Sequence, residues 1–352
     1  MEFVTALRAK EFSSTIRDVT ARLSLGVEHA RVIMSIDGSE IYDENLYGVA
    51  TDIEGTTWYV ITIDDLSELV TPYARRRQTV TFAISVTEEG SLAQTTQTEV
   101  VYCQADFGDE TAENFLSQHF LSILMGPKVT APGRLEYLHM QGDDDAMCRA
   151  TYDDGSIVAF AVNAIQTNGH YKTLNVSPDN FTAEGKTLVA YTVNAGSRSQ
   201  DFEIDLTAPD CAPILIFVNS FGLDELAYCT GIHKVDPSYK RSMAYVGRLQ
   251  RNYRIDETRS FRADTGPLNT PMANWWDDVF RSDSVRIVNF YNGHPNVGKD
   301  LVVTDSKSDF SNDDAMIPRF TFTYQYAQRN HNVVQLLRAG RIFDNTFDNT
   351  FN

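Results

Sequence analysis

Acidic side chains are the first candidates for chemistry, because carboxylates bind metal ions and exchange protons. The chain has 48 Asp and Glu residues, and several of them cluster at 143–145, 153–154 and 313–314. None of these clusters has the spacing of a calcium-binding loop, and runs of Asp near Gly or Asn are typical of solvated turns. A pair of catalytic carboxylates is created by folding rather than by spacing, so a cell-wall or glycan-cleaving enzyme remains an alternative.

Histidines and cysteines do not supply a metal or nucleophile motif. The seven His residues lack HxH and HExxH spacing, and Cys103, Cys148, Cys211 and Cys229 are far apart without a CxxC pair. The sequence also lacks a nucleophile elbow, a phosphate loop and a dinucleotide-binding glycine turn. We therefore predict a non-enzymatic protein with no catalytic residues, cofactor or metal, and with four buried free thiols.

Two aromatic neighbours and one basic run have both a structural and a functional interpretation. Trp275 and Trp276 could stack on a sugar ring, but helical neighbours point about 100° apart, so core packing is favoured. The run from Arg75 to Arg77 follows a predicted helix that ends near Tyr73, where cations complement the helix dipole. The alternatives are a salt bridge to another subunit for the arginines and a glycan-binding or receptor-binding adhesive module for the tryptophans.

The elements that must position these side chains are mainly strands. Phe320, Phe322 and Tyr324 alternate with polar residues, and signals such as Asp37-Gly38 mark the turns between similar segments. Short helices are predicted over 64–73, over 271–280, and from Asp109 to about Leu124. These patterns predict a mainly β fold with two or three antiparallel β-sandwich-like domains and a few short helices.

Turn-rich joints suggest the domain boundaries. The expected units are an N-terminal β domain (1–106), a central β-sandwich-like domain (107–210), a C-terminal β domain (211–340) and a terminal peptide (341–352). Within the C-terminal domain, the segments 214–219 and 225–230 are predicted to pair around Gly222. That register would place Cys229 opposite about residue 215 and beyond disulfide reach of Cys211.

Residues 248–263 have strand-like composition but carry charge on both faces. Such a strand cannot be buried against a core on either side. We therefore predict an extended hairpin arm with few contacts inside its own chain, and Arg254 and Arg259 as candidate subunit-interface residues. Burial of both Ile255 and Phe261 in the chain's own core would contradict this prediction.

The terminal peptide has a repeat that places Phe343, Phe347 and Phe351 four residues apart. The intervening Asp-Asn-Thr has poor helix propensity, and burying each phenylalanine would contribute about 1.5–3 kcal/mol. We predict that these residues lie at a subunit interface, with packing onto their own domain as the alternative. Deleting 341–352 is expected to leave the melting temperature of the monomer nearly unchanged and to weaken assembly. Calorimetry and sedimentation would check this, and a large loss of monomer stability would support the alternative.

The net charge of -18 limits the partners. Phosphate-binding surfaces need clustered Lys and Arg, so we predict no direct contact with nucleic acid, and an anionic membrane should repel the chain as well. The first residues lack the apolar core of a signal peptide, and no run of roughly 18 apolar residues is present. The expectation is a protein without a signal peptide and without membrane insertion.

Several segments occur in an order that resembles a known group of proteins. They are Asp37-Gly38, the segment 41–44 (IYDE), a strand over 58–63, 64–70 (DDLSELV), 217–225 (FVNSFGLDE), 276–282 (WDDVFRS) and 301–305 (LVVTD) before an aromatic strand. Together they resemble structural proteins encoded by tailed phages and prophages of gut Bacteroidales bacteria. The resemblance implies a non-enzymatic virion protein of the tail or baseplate, made in the host cytoplasm. It also implies a ring-like homo-oligomer that contacts other phage tail proteins.

Overall fold

The computed structural model describes residues 1–53, 55–167, 169–291, 294–308 and 316–327. The elements of the first domain are Glu2–Thr5 (β1), Lys10–Phe12 (β2), Val19–Arg22 (β3), His29–Ile36 (β4), Ser39–Tyr47 (β5), Val49–Ile53 (β6), Thr56–Ile63 (β7), Leu66–Arg77 (α1), Thr79–Thr87 (β8) and Gln94–Val101 (β9). They form two sheets, in the orders β1-β3-β7-β6 and β2-β9-β8-β4-β5, which enclose a core that includes Val32, Ile61 and Phe82. The pairing is antiparallel except between β2 and β9. This unit is a β-sandwich, as the alternation of apolar residues predicts.

The second domain is another β-sandwich. Its elements are Ala112–Gln118 (α2), Lys128–Thr130 (β10), Tyr137–Met140 (β11), Ala146–Tyr152 (β12), Ile157–Val162 (β13), Ala164–Thr167 (β14), Lys172–Asn175 (β15), a short 3₁₀ turn at Pro178–Phe181, Leu188–Ala195 (β16) and Arg198–Ile204 (β17). The sheet orders are β10-β17-β16-β12-β13 and β11-β15-β14, and β10 runs parallel to β17. Cys148, Tyr191 and Phe202 lie in the core between them.

The third domain is a single sheet with a helix on one face. Its elements are Ile214–Val218 (β18), Asp224–Tyr228 (β19), Lys234–Val246 (β20), Leu249–Asp264 (β21), Thr270–Arg281 (α3), Val285–Tyr291 (β22), His294–Ser308 (β23) and Phe320–Tyr326 (β24). The sheet order is β19-β18-β22-β23-β24-β21-β20. Trp276 and Phe280 of α3 pack on Phe322, while Tyr228 on the opposite face packs against the second domain. The mainly β fold is confirmed, with two sandwiches and one sheet-and-helix layer.

A cluster of four phenylalanines joins the three domains, and we call it the phenylalanine junction. Phe12 comes from β2, Phe107 and Phe115 from the start of the second domain, and Phe221 from the turn between β18 and β19. The ring of Phe221 lies 6.0 Å from that of Phe12 and 5.6 Å from that of Phe115. The domains are therefore packed around a shared apolar core.

Several local predictions differ from the structure. The helix predicted from Asp109 to about Leu124 is only α2, capped by the Thr111 side chain. The chain then continues as an irregular segment, in which the Leu121 backbone N–H donates to the His139 carbonyl oxygen at 2.7 Å. In the β18–β19 hairpin, Leu215 lies opposite Ala227, so the predicted register is wrong by two residues. All four cysteines are free, but Cys211 is only half-buried.

Candidate subunit interface

The hairpin of β20 and β21 projects from the edge of the third domain's sheet. Among the described residues, β21 pairs with β24 from Phe261 to Asp264, and its earlier residues pair with β20 and no other strand. The two strands are joined by Gly247-Arg248, with Gly247 at φ 68 as turns of this type favour. Residues 249–256 are all exposed, so a two-stranded ribbon extends roughly 25 Å beyond the sheet at the usual rise per residue. We call residues 238–256 the arm.

The predicted arm boundaries need a correction. Ile255 is 53% exposed, as predicted, but Phe261 is 2% exposed. The last residues of the 248–263 segment therefore belong to the core, because β24 covers one edge of β21 there and α3 covers a face. The arm also includes the second half of β20, which the prediction left out.

A stacked aromatic cluster anchors the base of the arm. The ring of Phe261 lies 4.9 Å from that of Tyr324, and the imidazole of His233 is nearly parallel to both rings. His233 Nε2 is 2.8 Å from the Tyr324 hydroxyl, and burial lowers the pKa of His233 and raises that of Tyr324. Both groups are therefore neutral near pH 7, which suits an anchoring role.

One face of the arm carries exposed aromatic and aliphatic side chains among polar ones. Alternation along β20 places Tyr239, Met243 and Tyr245 on the same face, and Ile255 lies opposite Arg241 on that face. Tyr245 is 75% exposed, and the Arg241 guanidinium lies 5.3 Å from the Tyr239 ring centre. A bulge near Met243 leaves Tyr253 as the additional residue of β21, and it is exposed as well. Exposed aromatic and aliphatic side chains at this density are typical of interaction surfaces.

The arm is also basic, and this feature was missed in the sequence analysis. Between Ser238 and Ile255 there are five basic residues and no acidic one: Lys240, Arg241, Arg248, Arg251 and Arg254. Because the whole chain carries -18, the remaining residues together carry -23. Summing charge over a short window would have found this segment, whereas the total net charge concealed it.

The two predicted arginines occupy different positions. Arg254 is exposed on the arm, where its Nε lies 2.9 Å from an oxygen of Asp256. Arg259 lies nearer the base, partly buried, and pairs with Glu257. The structure therefore places Arg254 on the projecting surface and Arg259 at its root. Phe343, Phe347 and Phe351 lie outside the described residues.

The tryptophan pair is buried and does not form an exposed platform. Trp275 and Trp276 are 1% and 0% exposed, which confirms core packing. The Trp275 indole donates to Glu225 at 2.8 Å, and Lys128 lies 4.8 Å from the indole ring centre. Lys128 also donates to Glu136 at 2.6 Å. We call Lys128, Glu136, Glu225 and Trp275 the buried charge cluster, and it joins the second and third domains.

Acidic residues of the clusters at 143–145 and 153–154 make contacts within the chain, and 313–314 lie outside the described residues. Asp144 pairs with Arg198 at 2.7 Å, and Asp154 accepts hydrogen bonds from Ser156 while pairing with Lys186. Nowhere in the described part of the chain do three or more His, Cys, Asp or Glu side chains lie where they could hold a metal ion.

The basic run after the first predicted helix lies inside that helix. Helix α1 continues to Arg77, so all three arginines belong to its last turn. Arg75 pairs with Asp283 of the third domain, and Arg77 pairs with Asp37. These contacts are intramolecular and link α1 to its surroundings.

Comparisons with known proteins give only remote structural similarities. No family model matches the chain, and no curated protein matches it. A tandem pair of immunoglobulin domains from titin is 12% identical, with a TM-score of 0.23, over 58% of this chain and 96% of the titin fragment. The Bacteroides ovatus glucan-utilization protein SGBP-B, solved with a mixed-linkage heptasaccharide, is 8% identical, with a TM-score of 0.17, over 88% of this chain and 72% of that protein. No helix among the described residues has the length and apolar composition needed to cross a membrane.

Proposed function

We propose that this protein is a non-enzymatic structural component of a bacteriophage tail or baseplate. It acts by self-assembly into a ring-like homo-oligomer and by contact with neighbouring tail proteins in the virion. The observation that carries the self-assembly is the arm, an exposed ribbon that is basic and aromatic on an otherwise acidic chain. The assignment to a phage tail comes from the order of sequence segments that resembles such proteins.

The arm supports assembly because its apolar side chains are not buried within the monomer. Tyr245, Tyr253 and Ile255 are each more than half exposed, and fully burying such a side chain contributes about 1.5–3 kcal/mol. A two-stranded hairpin alone is at best marginally stable in water, so a partner that covers one face would order it. Tyrosine and arginine are also the residues that dominate the energetics of many protein interfaces.

The test is to make the arm polar without removing it. The triple variant Tyr245→Thr, Tyr253→Thr, Ile255→Thr keeps strand-compatible residues but removes most of the apolar surface. We expect self-association to weaken about a hundredfold, which corresponds to a loss of about 3 kcal/mol. Sedimentation velocity over a concentration series would measure the dissociation constant.

A matched control changes exposed apolar residues elsewhere. Ile157→Thr with Ile165→Thr alters the edge of the second sandwich, where both side chains are exposed. This control should associate like the unaltered chain. If the arm variant and the control both retain the same oligomer, the arm is not the assembly contact and the proposal fails.

A further inference from the structure

The first domain has an open sheet edge whose charge is opposite to that of the arm. β5 pairs with β4 and with no other strand in the described part of the chain, so one of its backbone edges is unpaired. β6, the next strand, is likewise the last strand of the other sheet of that sandwich. Unpaired strand edges offer rows of N–H and C=O groups to an incoming strand.

Acidic residues lie along this edge. Residues 39–53 contain four Asp and Glu residues and no Lys or Arg. Glu40 and Glu44 of β5 and Asp52 of β6 are exposed, while Asp43 pairs with Arg31. We call the exposed side of β5 and β6, residues 39–53, the acidic edge.

The acidic edge also carries apolar surface. Tyr47 and Val49, at the point where β5 passes into β6, are 74% and 72% exposed. The combination of carboxylates with exposed apolar side chains complements a ribbon that combines guanidinium groups with tyrosines.

We propose that the arm of one copy of the chain docks on the acidic edge of a second copy. This inference rests on the proposed function as a self-assembling protein and names the surface that receives the arm. In the part of the chain that the structure describes, β20 is the last strand of its sheet, and Pro237 lies near the start of the arm, as edge strands tolerate. Both β20 and β5 can therefore accept an added strand.

The charge pattern disfavours the symmetric pairings. Two arms would bring basic residues together, and two acidic edges would bring carboxylates together, and both arrangements repel. The contact is therefore between two different surfaces. Repeated contacts of this kind close into a ring when the rotation between copies permits it, and otherwise extend as a filament.

Charge reversal on the acidic edge tests this contact. Glu40→Lys with Glu44→Lys should weaken self-association at least about tenfold at about 0.15 M salt, where charges beyond roughly 8 Å are screened. Asp145→Lys with Glu184→Lys, at exposed positions of the second domain, is the matched control and should have no such effect. Circular dichroism melts would confirm that each variant is folded.

Combining charge reversals on the two surfaces tests the contact more directly than either reversal alone. Mixing the acidic-edge variant with a chain carrying Arg251→Glu and Arg254→Glu should restore association between the two variants, although each associates poorly with itself. A photo-crosslinking benzoylphenylalanine in place of Tyr245 should also link to residues 39–53 of a second copy, as read by mass spectrometry of the digested product. Both results would support the inference.

The outcomes separate this inference from the proposed function. If the Thr variant of the arm is monomeric but the acidic-edge variant associates like the unaltered chain, the arm docks elsewhere and only this inference fails. If the Thr variant still forms the full oligomer, the proposed function and this inference both fail. Arm-dependent binding of a labelled single-stranded oligonucleotide, with no effect of either set of charge changes on self-association, would assign the arm to nucleic acid and overturn the inference.

Discussion

Lys128→Met is expected to lower the free energy of unfolding by about 3–5 kcal/mol, the usual cost of breaking a buried ion pair. Lys128 is 6% exposed and donates to Glu136 at 2.6 Å and to the backbone carbonyl of Leu226 at 3.3 Å. Desolvation raises the pKa of Glu225, and the positive charge of Lys128 offsets part of that increase. Without the ammonium, two buried carboxyl groups between the second and third domains lose their cation.

Guanidinium denaturation would measure the effect, and a second variant separates charge from packing. Lys128→Met combined with Glu136→Gln should recover part of the loss, because the double variant no longer leaves Glu136 as an uncompensated charge. A loss below about 1 kcal/mol for the single variant would mean that Glu136 and Glu225 are accommodated without Lys128 and would contradict the prediction.

Phe221→Ala is expected to cost about 3–5 kcal/mol and to uncouple the unfolding of the domains. Phe221 is buried and contacts phenylalanines that belong to the first and second domains. Loss of its ring would leave a cavity where the three domains meet. Differential scanning calorimetry should then resolve separate transitions in place of overlapping ones.

Phe202→Ala is the matched control for the phenylalanine junction. It removes the same ring from inside the second sandwich, where Phe202 stacks on Tyr191 at 4.6 Å. This change should destabilise the second domain without separating it from its neighbours. If both variants show the same unfolding transitions, the phenylalanine junction has no special role in coupling the unfolding of the domains.

Local patterns in the sequence determined much of the fold, because turn residues and alternation act over a few neighbouring positions. Asp37-Gly38 predicts the turn between β4 and β5, and both residues have positive φ. The apolar spacing of 271–280 predicts α3, and the buried tryptophans follow from it. The exposed arm tip follows from charge on both faces of a strand.

Tertiary contacts decided the rest, because burial and pairing depend on residues far apart in the chain. The segment after α2 is irregular and Leu121 in it bonds to His139 of β11, although the apolar spacing of the segment also suits a helix. Phe261 is buried because residues of β24 and α3 pack in the same core cluster. Lys128 is buried beside Glu136 and Glu225, which belong to other parts of the chain. The sequence by itself determined most of the strands, turns and helices, and only the tertiary structure decided where α2 ends and which polar groups are buried, since desolvation depends on all the surrounding elements.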